Sequence, residues 1–209
     1  MTLSYCDFAP GLPFHGPYHE REYGFPIRDD DRLFERLVLE INQAGLSWLT
    51  ILKKRDAFRD AFADFDIARV TRFGARDRQR LLRNSDIIRN RLKIDAAIEN
   101  AKRLMALGSF AEWLDQNQPR SKDEWVKLFR KSFVFTGGEI TSSFLLSIGY
   151  LPGAHEKWCP VYAKILKLRP PWSRPHPAFG HPLPANAGRG RSREILLPAC
   201  GEKVPRSGG

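Results

Sequence analysis

Residues 29–62 read DDDRLFERLVLEINQAGLSWLTILKKRDAFRDAF, and the fold class follows from the punctuation of this run. Three aspartates, Asp29, Asp30 and Asp31, offer an N-cap and first-turn acids, whose negative charge suits the exposed N–H groups of a helix start. Apolar and good helix-forming residues then continue to about Ala44. Gly45 stops them, as a residue tolerating a left-handed backbone commonly does just past a helix end. Ser47 can cap a second helix from Trp48 to about Phe62. Two helices joined by a very short turn are therefore predicted.

Outward from this pair, helical periodicity recurs at 67–72, 77–83, 90–107, 110–117 and 122–131. A last core helix is expected over 139–148, stopped by Gly149 and Pro152. No run alternates apolar and polar residues as a half-buried strand does. The chain reads as all-α. Its first 26 residues, rich in Gly, Pro, His and Tyr, read as an ordered but irregular arm. The segment 171–209 is different again. From Pro170 onward lie eight of the fifteen prolines, with six basic and two acidic residues. Such a composition cannot bury enough apolar surface to order itself, so a flexible basic tail is expected after a helical domain spanning 1–170.

Of the formal net charge of +10, the tail holds +4 and the core +6. An excess of Lys and Arg suits an anionic partner such as nucleic acid, since phosphate contacts supply much of that affinity; a basic solvated surface without a partner has the same composition. The N-terminus lacks the basic head and apolar run of a secretory signal. The longest apolar stretch, 140–151, is interrupted by Thr141, Ser142 and Ser143 and is too short to span a bilayer. With three cysteines there is no disulfide framework, and a reduced, cytoplasmic setting with metal binding fits them better.

Three clusters carry possible chemistry. Between Lys131 and Glu139 the chain runs KSFVFTGGE: one helix ends, two apolar residues turn inward, Gly137 and Gly138 make a tight turn, and another helix begins. The unpaired N–H groups at that start can bind a phosphate oxygen, with Arg130 and Lys131 beside them; a Gly-Gly pair also serves as a simple connection. Cys6 and His19, with His155 and Cys159, form a Cys2His2 set suited to tetrahedral zinc. Ordinary buried cysteines and histidines fit the spacing as well, and His15, His176, His181 and Cys200 are further candidates. Finally, Leu33, Leu37, Glu40 and Ala44 fall on one helical face, so Glu40 is directed inward. A buried carboxylate needs a partner, either a structural Arg or Lys or a ligand. Nearby Trp48, Tyr18 and Tyr23 are core packing, or with Glu40 they form a niche for a flat cation.

Taken together these stretches are far more specific. Residues 34–55 (FERLVLEINQAGLSWLTILKKR), 18–26 (YHEREYGFP) and 87–94 (IIRNRLKI), followed in order by the FTGG turn at 135–138 and His155-x-x-x-Cys159, resemble the bacterial DNA-3-methyladenine glycosylase I family over residues 4–170. The resemblance implies a helix-hairpin-helix glycosylase fold in which one structural zinc, held by Cys6, His19, His155 and Cys159, ties the N-terminal arm to the end of the core. It implies that Glu40 accepts hydrogen bonds from the adenine edge, that Tyr18 and Trp48 line the base pocket, and that Gln43, Gly45 and Leu46 fill the gap left in the DNA stack. Phe8 and Tyr23 stand where members of this family often carry Trp, and His15 where some carry another aromatic residue.

The reaction so implied is monofunctional hydrolysis of the glycosidic bond of 3-methyladenine in double-stranded DNA after base flipping, by a monomer. No Asp follows Asp123, so the aspartate that many helix-hairpin-helix glycosylases place beyond the hairpin is missing, and no lysine nucleophile is evident. Glu40 and the rings are expected to act by gripping a base whose positive charge has already weakened its bond. A zinc-stabilised binder of distorted DNA without catalysis, and a helical adaptor with a basic tail, are the competing readings. Neither requires an acid buried among aromatic rings.

Overall fold

The computed structural model describes residues 3–168 and 170–173. Among these, eleven α-helices and no strands occur: α1 (Tyr5–Phe8), α2 (His15–Arg21), α3 (Asp30–Gln43), α4 (Trp48–Ala61), α5 (Ile67–Val70), α6 (Ala75–Arg83), α7 (Arg91–Leu107), α8 (Phe110–Gln116), α9 (Lys122–Ser132), α10 (Gly138–Ser147) and α11 (Pro160–Lys167). No helix among the described residues is long and apolar enough to cross a membrane. Of the tail assigned to 171–209, only a 3-10 turn at Pro171–Ser173 is described; His176, His181 and Cys200 lie outside the described residues.

Helix α3 is the axis of the fold. Ten consecutive residues, Leu33 to Asn42, are buried, because α4, α5, α7, α8 and α10 all pack on it. Burial is therefore not confined to the stripe the sequence suggests: Glu40 is inside, but Ala44, past the helix end, is exposed. Two aromatic groups flank α3. Phe34 meets Phe65, which stacks on Phe62 at 5.6 Å. On the other side Phe110 stacks on Phe144 and touches Phe133. Each such fully buried ring contributes about 1.5–3 kcal/mol.

The three leading aspartates divide their work among three helices. Asp29 caps α3, accepting from the Arg32 N–H at 2.8 Å. Asp30 accepts from Ala111 N–H at the start of α8, and Asp31 from Ile67 N–H at the start of α5. Carboxylates at helix N-termini stabilise by both hydrogen bond and dipole, so one short acidic run orients three helices. Ser47 caps α4 by accepting from Thr50 N–H at 3.2 Å.

Three expectations need correction. The arm is not irregular, since α1 and α2 lie within it; the Gly and Pro content of α2 masks its helical spacing. A further helix, α11, follows the last expected one, opened by Pro160 at its first position, where a missing N–H does no harm. At the 131–139 turn the left-handed residue is Phe135 (φ 62°), whereas Gly137 is an extended N-cap and Gly138 begins α10. Of its apolar side chains only Phe133 is buried; Val134 is half-buried and Phe135 is exposed. Thr136 secures this turn, its Oγ1 lying 3.0 Å from the Phe129 carbonyl that it donates to.

Candidate base pocket and metal centre

Glu40 is the eleventh of the fourteen residues of α3 and is 4 % exposed. No hydrogen bond or ion pair to its carboxylate exists among the described residues. Burial raises its pKa to about 7, against the opposing pull of the Arg36 guanidinium. Around it stand the rings named from the sequence. Tyr18 sits 5.1 Å from Trp48 and 5.8 Å from Tyr23, centroid to centroid, and the Glu40 charge acts on both tyrosines. The Trp48 Nε1–H is buried without an acceptor. A carboxylate and an indole N–H, both desolvated and both without partners, are costly unless something else completes them.

Arg36 was not singled out in the sequence, although it precedes Glu40 by one helical turn on the same face. Its guanidinium lies 4.7 Å from the centre of the Tyr18 ring, donates to the Tyr18 hydroxyl and also to Glu22 at 3.0 Å. Glu22 accepts in turn from Arg55 at 2.7 Å, and Arg55 and Arg59 both donate to Glu35 at 2.8 Å. Burial pushes Glu35 up, but these two guanidinium groups win and hold it at about 2. Every acid of this network is thus paired, and Glu40 beside it is not.

The remaining expected residues divide by position. Gln43, Gly45 and Leu46 form the turn joining α3 to α4. Ala44 (φ −49°, ψ 114°) and Gly45 (φ 82°) have type II turn geometry, closed by Leu46 N–H donating to the Gln43 carbonyl at 2.6 Å. A Cβ on Gly45 would meet nothing within 4 Å, so glycine is needed for its backbone conformation and not for space. Leu46 is 41 % exposed, an apolar side chain at a protruding tip. Phe8 does not join the rings around Glu40; it packs on Tyr5 and His15, one layer away. Tyr5, also unmarked by the sequence reading, is the link between layers, with ring contacts to Phe8, His15, Tyr18, His19 and Tyr23. Gly137 and Gly138 border open space beside a cavity of about 380 Å³ lined by Arg130, Phe133, Phe135, Thr136, Gly137 and Ile140.

Cys6, His19, His155 and Cys159 come together, all buried, with their ligand atoms within 4.8 Å of one another. Cys6 Sγ is 3.5 Å from His155 Nδ1, and Cys159 Sγ is 3.7 Å from both His155 Nδ1 and His19 Nε2. Metal–sulfur and metal–nitrogen bonds of about 2.3 and 2.0 Å give tetrahedron edges of about 3.6 Å, so the donors are spaced to share one ion. His155 donates its Nε2–H to the Tyr23 carbonyl at 2.7 Å, which leaves Nδ1 free to ligate. Burial lowers the pKa of both histidines and raises the Cys6 thiol to about 11, so a Cys6 thiolate needs a cation beside it. Gly24 (φ 79°) lets the arm pass this cluster: a Cβ there would lie 2.8 Å from Ala154 Cβ and 3.3 Å from His155 Cδ2.

Comparison with known proteins agrees with this geometry. The methyladenine glycosylase family model matches residues 12–127. A DNA-3-methyladenine glycosylase of Haemophilus influenzae is 34 % identical over 178 residues, covering 74 % of this chain and 96 % of that one. DNA-3-methyladenine glycosylase 1 of Escherichia coli is 34 % identical over 75 % of this chain and 96 % of its own. A structure of 3-methyladenine DNA glycosylase I from Staphylococcus aureus, solved for the basis of 3-methyladenine recognition, superposes with a TM-score of 0.67 at 34 % identity, covering 75 % and 95 % of the two chains. With the motifs, the helical architecture and the matched length in accord, the chain belongs to the methyladenine glycosylase family.

Proposed function

We propose that this protein is a DNA-3-methyladenine glycosylase, which flips the alkylated nucleotide out of double-stranded DNA and hydrolyses its glycosidic bond. The observation that carries this reading is the unpaired, buried Glu40 among Tyr18, Tyr23 and Trp48, beside a network in which every other acid is paired. A methylated adenine in DNA is a flat cation. It offers positive charge and an exocyclic amino group to the carboxylate, and a face to the rings. Normal adenine is neutral and gains less, so selection follows from charge.

In the reaction the bond between sugar C1′ and the base nitrogen breaks, and its electron pair leaves with the base, which becomes neutral. Water adds to C1′ and releases a proton. The base is already a good leaving group, so the protein needs to hold it rather than protonate it. Glu40 accepts from the adenine edge, Tyr18 and Trp48 stack, and Arg36 holds the Tyr18 hydroxyl in place. Leu46, carried by the Gln43–Gly45 turn, fills the vacated stack. The first N–H groups of α10, open at Gly137 and Gly138, bind the DNA backbone.

The Cys2His2 cluster fits one zinc ion with all four positions supplied by protein, leaving no site for an activated water. Its role is structural: it fastens the arm that presents Tyr18 and Tyr23. The test is incubation of the pure protein with methylated duplex DNA and identification of the released bases. Free 3-methyladenine is the expected product. Tight binding to damaged duplex without release would instead favour a non-catalytic binder.

A further inference from the structure

Lys93, the third residue of α7, is only 5 % exposed. Its ammonium donates to the Asn42 carbonyl at 2.9 Å and to the Ala44 carbonyl at 2.6 Å. These are carbonyls that the end of α3 leaves without intrahelical partners, and they lie at the base of the turn carrying Leu46. Burial lowers the pKa of Lys93, so a costly group has been placed where a water molecule or the glycine cap alone could satisfy the helix end. A second lysine runs in the opposite sense, from α4 to the loop before α7. Lys54 of α4 donates to the carbonyls of Ser85 and Asp86 at 3.1 and 3.0 Å, in the loop leading to α7. The α3–α4 hairpin and residues 85–93 are thus joined by two lysines, and of these Lys93 alone holds the turn. The tip itself, Gly45 and Leu46, is exposed.

We infer that Lys93 is a positioning residue for duplex DNA: by gripping the Asn42 and Ala44 carbonyls it fixes the height and angle at which Leu46 enters the stack. The inference rests on the proposed role of that turn. It goes further in assigning the precision of insertion to a residue that touches neither the base nor the DNA gap. A misplacement of about 1 Å at such a point can cost up to about a hundredfold in rate, whereas Lys93 makes no hydrogen bond to Glu40, Tyr18, Tyr23 or Trp48, its ammonium being engaged with the Asn42 and Ala44 carbonyls.

The experiment compares wild type, Lys93→Met, Leu46→Ala and the double variant by two readouts: single-turnover release of 3-methyladenine from methylated duplex, and affinity for free 3-methyladenine. Lys93→Met should slow duplex excision about tenfold or more with free-base affinity unchanged. The double variant should be no slower than Leu46→Ala alone, because both changes remove one function. Loss of both readouts together would mean that Lys93 merely supports the fold, and unchanged duplex excision would mean that it positions nothing; either result overturns the inference. If Lys93→Met does not fold by circular dichroism, Lys93→Gln, which is uncharged and one bond shorter and so cannot grip both carbonyls, is judged by the same two readouts. A wild-type protein releasing no base refutes the glycosylase reading itself, a result distinguishable from failure of Lys93 alone.

Discussion

Replacing Glu40 with Gln tests the pocket through stability as well as activity. The carboxyl group titrates near 4.5 in an unfolded chain and at about 7 in the folded one, because burial opposes its charge. A raised folded pKa means that the unfolded state gives up its proton first as pH rises. Below pH 4.5 both states are protonated and Glu40 costs nothing; between 4.5 and 7 the cost accumulates; above 7 it is complete. Two and a half units at 1.36 kcal/mol each give about 3 kcal/mol. Glu40→Gln, which cannot ionise, should therefore stabilise the protein by about 3 kcal/mol at pH 8, or raise Tm by about 6–12 °C at this chain length, and by nothing at pH 4. Calorimetry of both proteins at the two pH values is the assay. Any loss of metal in acid affects both alike and cancels in the difference. The same variant should lose most excision of 3-methyladenine. A gain equal at both pH values, or a variant less stable at pH 8, would show that the carboxylate is already paired in the fold and is not held open for a ligand.

On the proposed role of Glu40, the same titration should govern activity. Since kcat/KM reports the free enzyme, excision should rise with pH through about 7 in the wild type, and this limb should vanish in Glu40→Gln. Arg36→Met removes the one charge that favours ionised Glu40 and should move the limb to higher pH; it should also cost about 3 kcal/mol in a urea titration, because a buried ion-paired network is broken. Cys159→Ser should lower metal content well below one ion per chain by elemental analysis and lower Tm, and should reduce excision although the ion is remote from the base, because Tyr18 is next to ligand His19. Gly24→Ala should destabilise by more than about 2 kcal/mol and reduce metal retention, since its backbone is left-handed and its Cβ would collide with Ala154.

The sequence was most legible where local rules suffice. Asp29 and Ser47 cap α3 and α4 as their positions suggest, and the helix boundaries from α5 to α10 follow the periodicity to within a few residues. It was least legible where tertiary partners decide. Nothing local tells that Asp30 and Asp31 serve the N-termini of α8 and α5, or that Lys93 turns inward to distant carbonyls. The α9–α10 turn looked like a glycine device, yet Phe135 takes the left-handed conformation while Thr136 caps α9 from within. The four residues of the Cys2His2 cluster could be named through family likeness, whereas their spacing alone left His15 in contention; His15 instead packs on Tyr5 and Phe8 and meets the Tyr5 hydroxyl at 3.0 Å.

The metal cluster and the base niche are best understood as one construction. Helix α2 has seven residues, including Gly16 and Pro17, and a helix so short does not persist alone in water. Fixing seven residues costs about 7–14 kcal/mol of backbone entropy, which is the size of the roughly 10–16 kcal/mol a structural zinc ion contributes at neutral pH. With an ion bound, His19 would take that stabilisation at the cluster, and Tyr18, its neighbour in sequence, would thereby be held against Arg36 and Trp48. A niche assembled by packing alone would be free to collapse onto an unpaired acid and pair it, for Arg36 is within one helical turn. Anchoring the arm from the opposite side would keep Arg36 on Tyr18 and Glu22 and leave Glu40 uncompensated, as the proposed recognition of a cationic base requires.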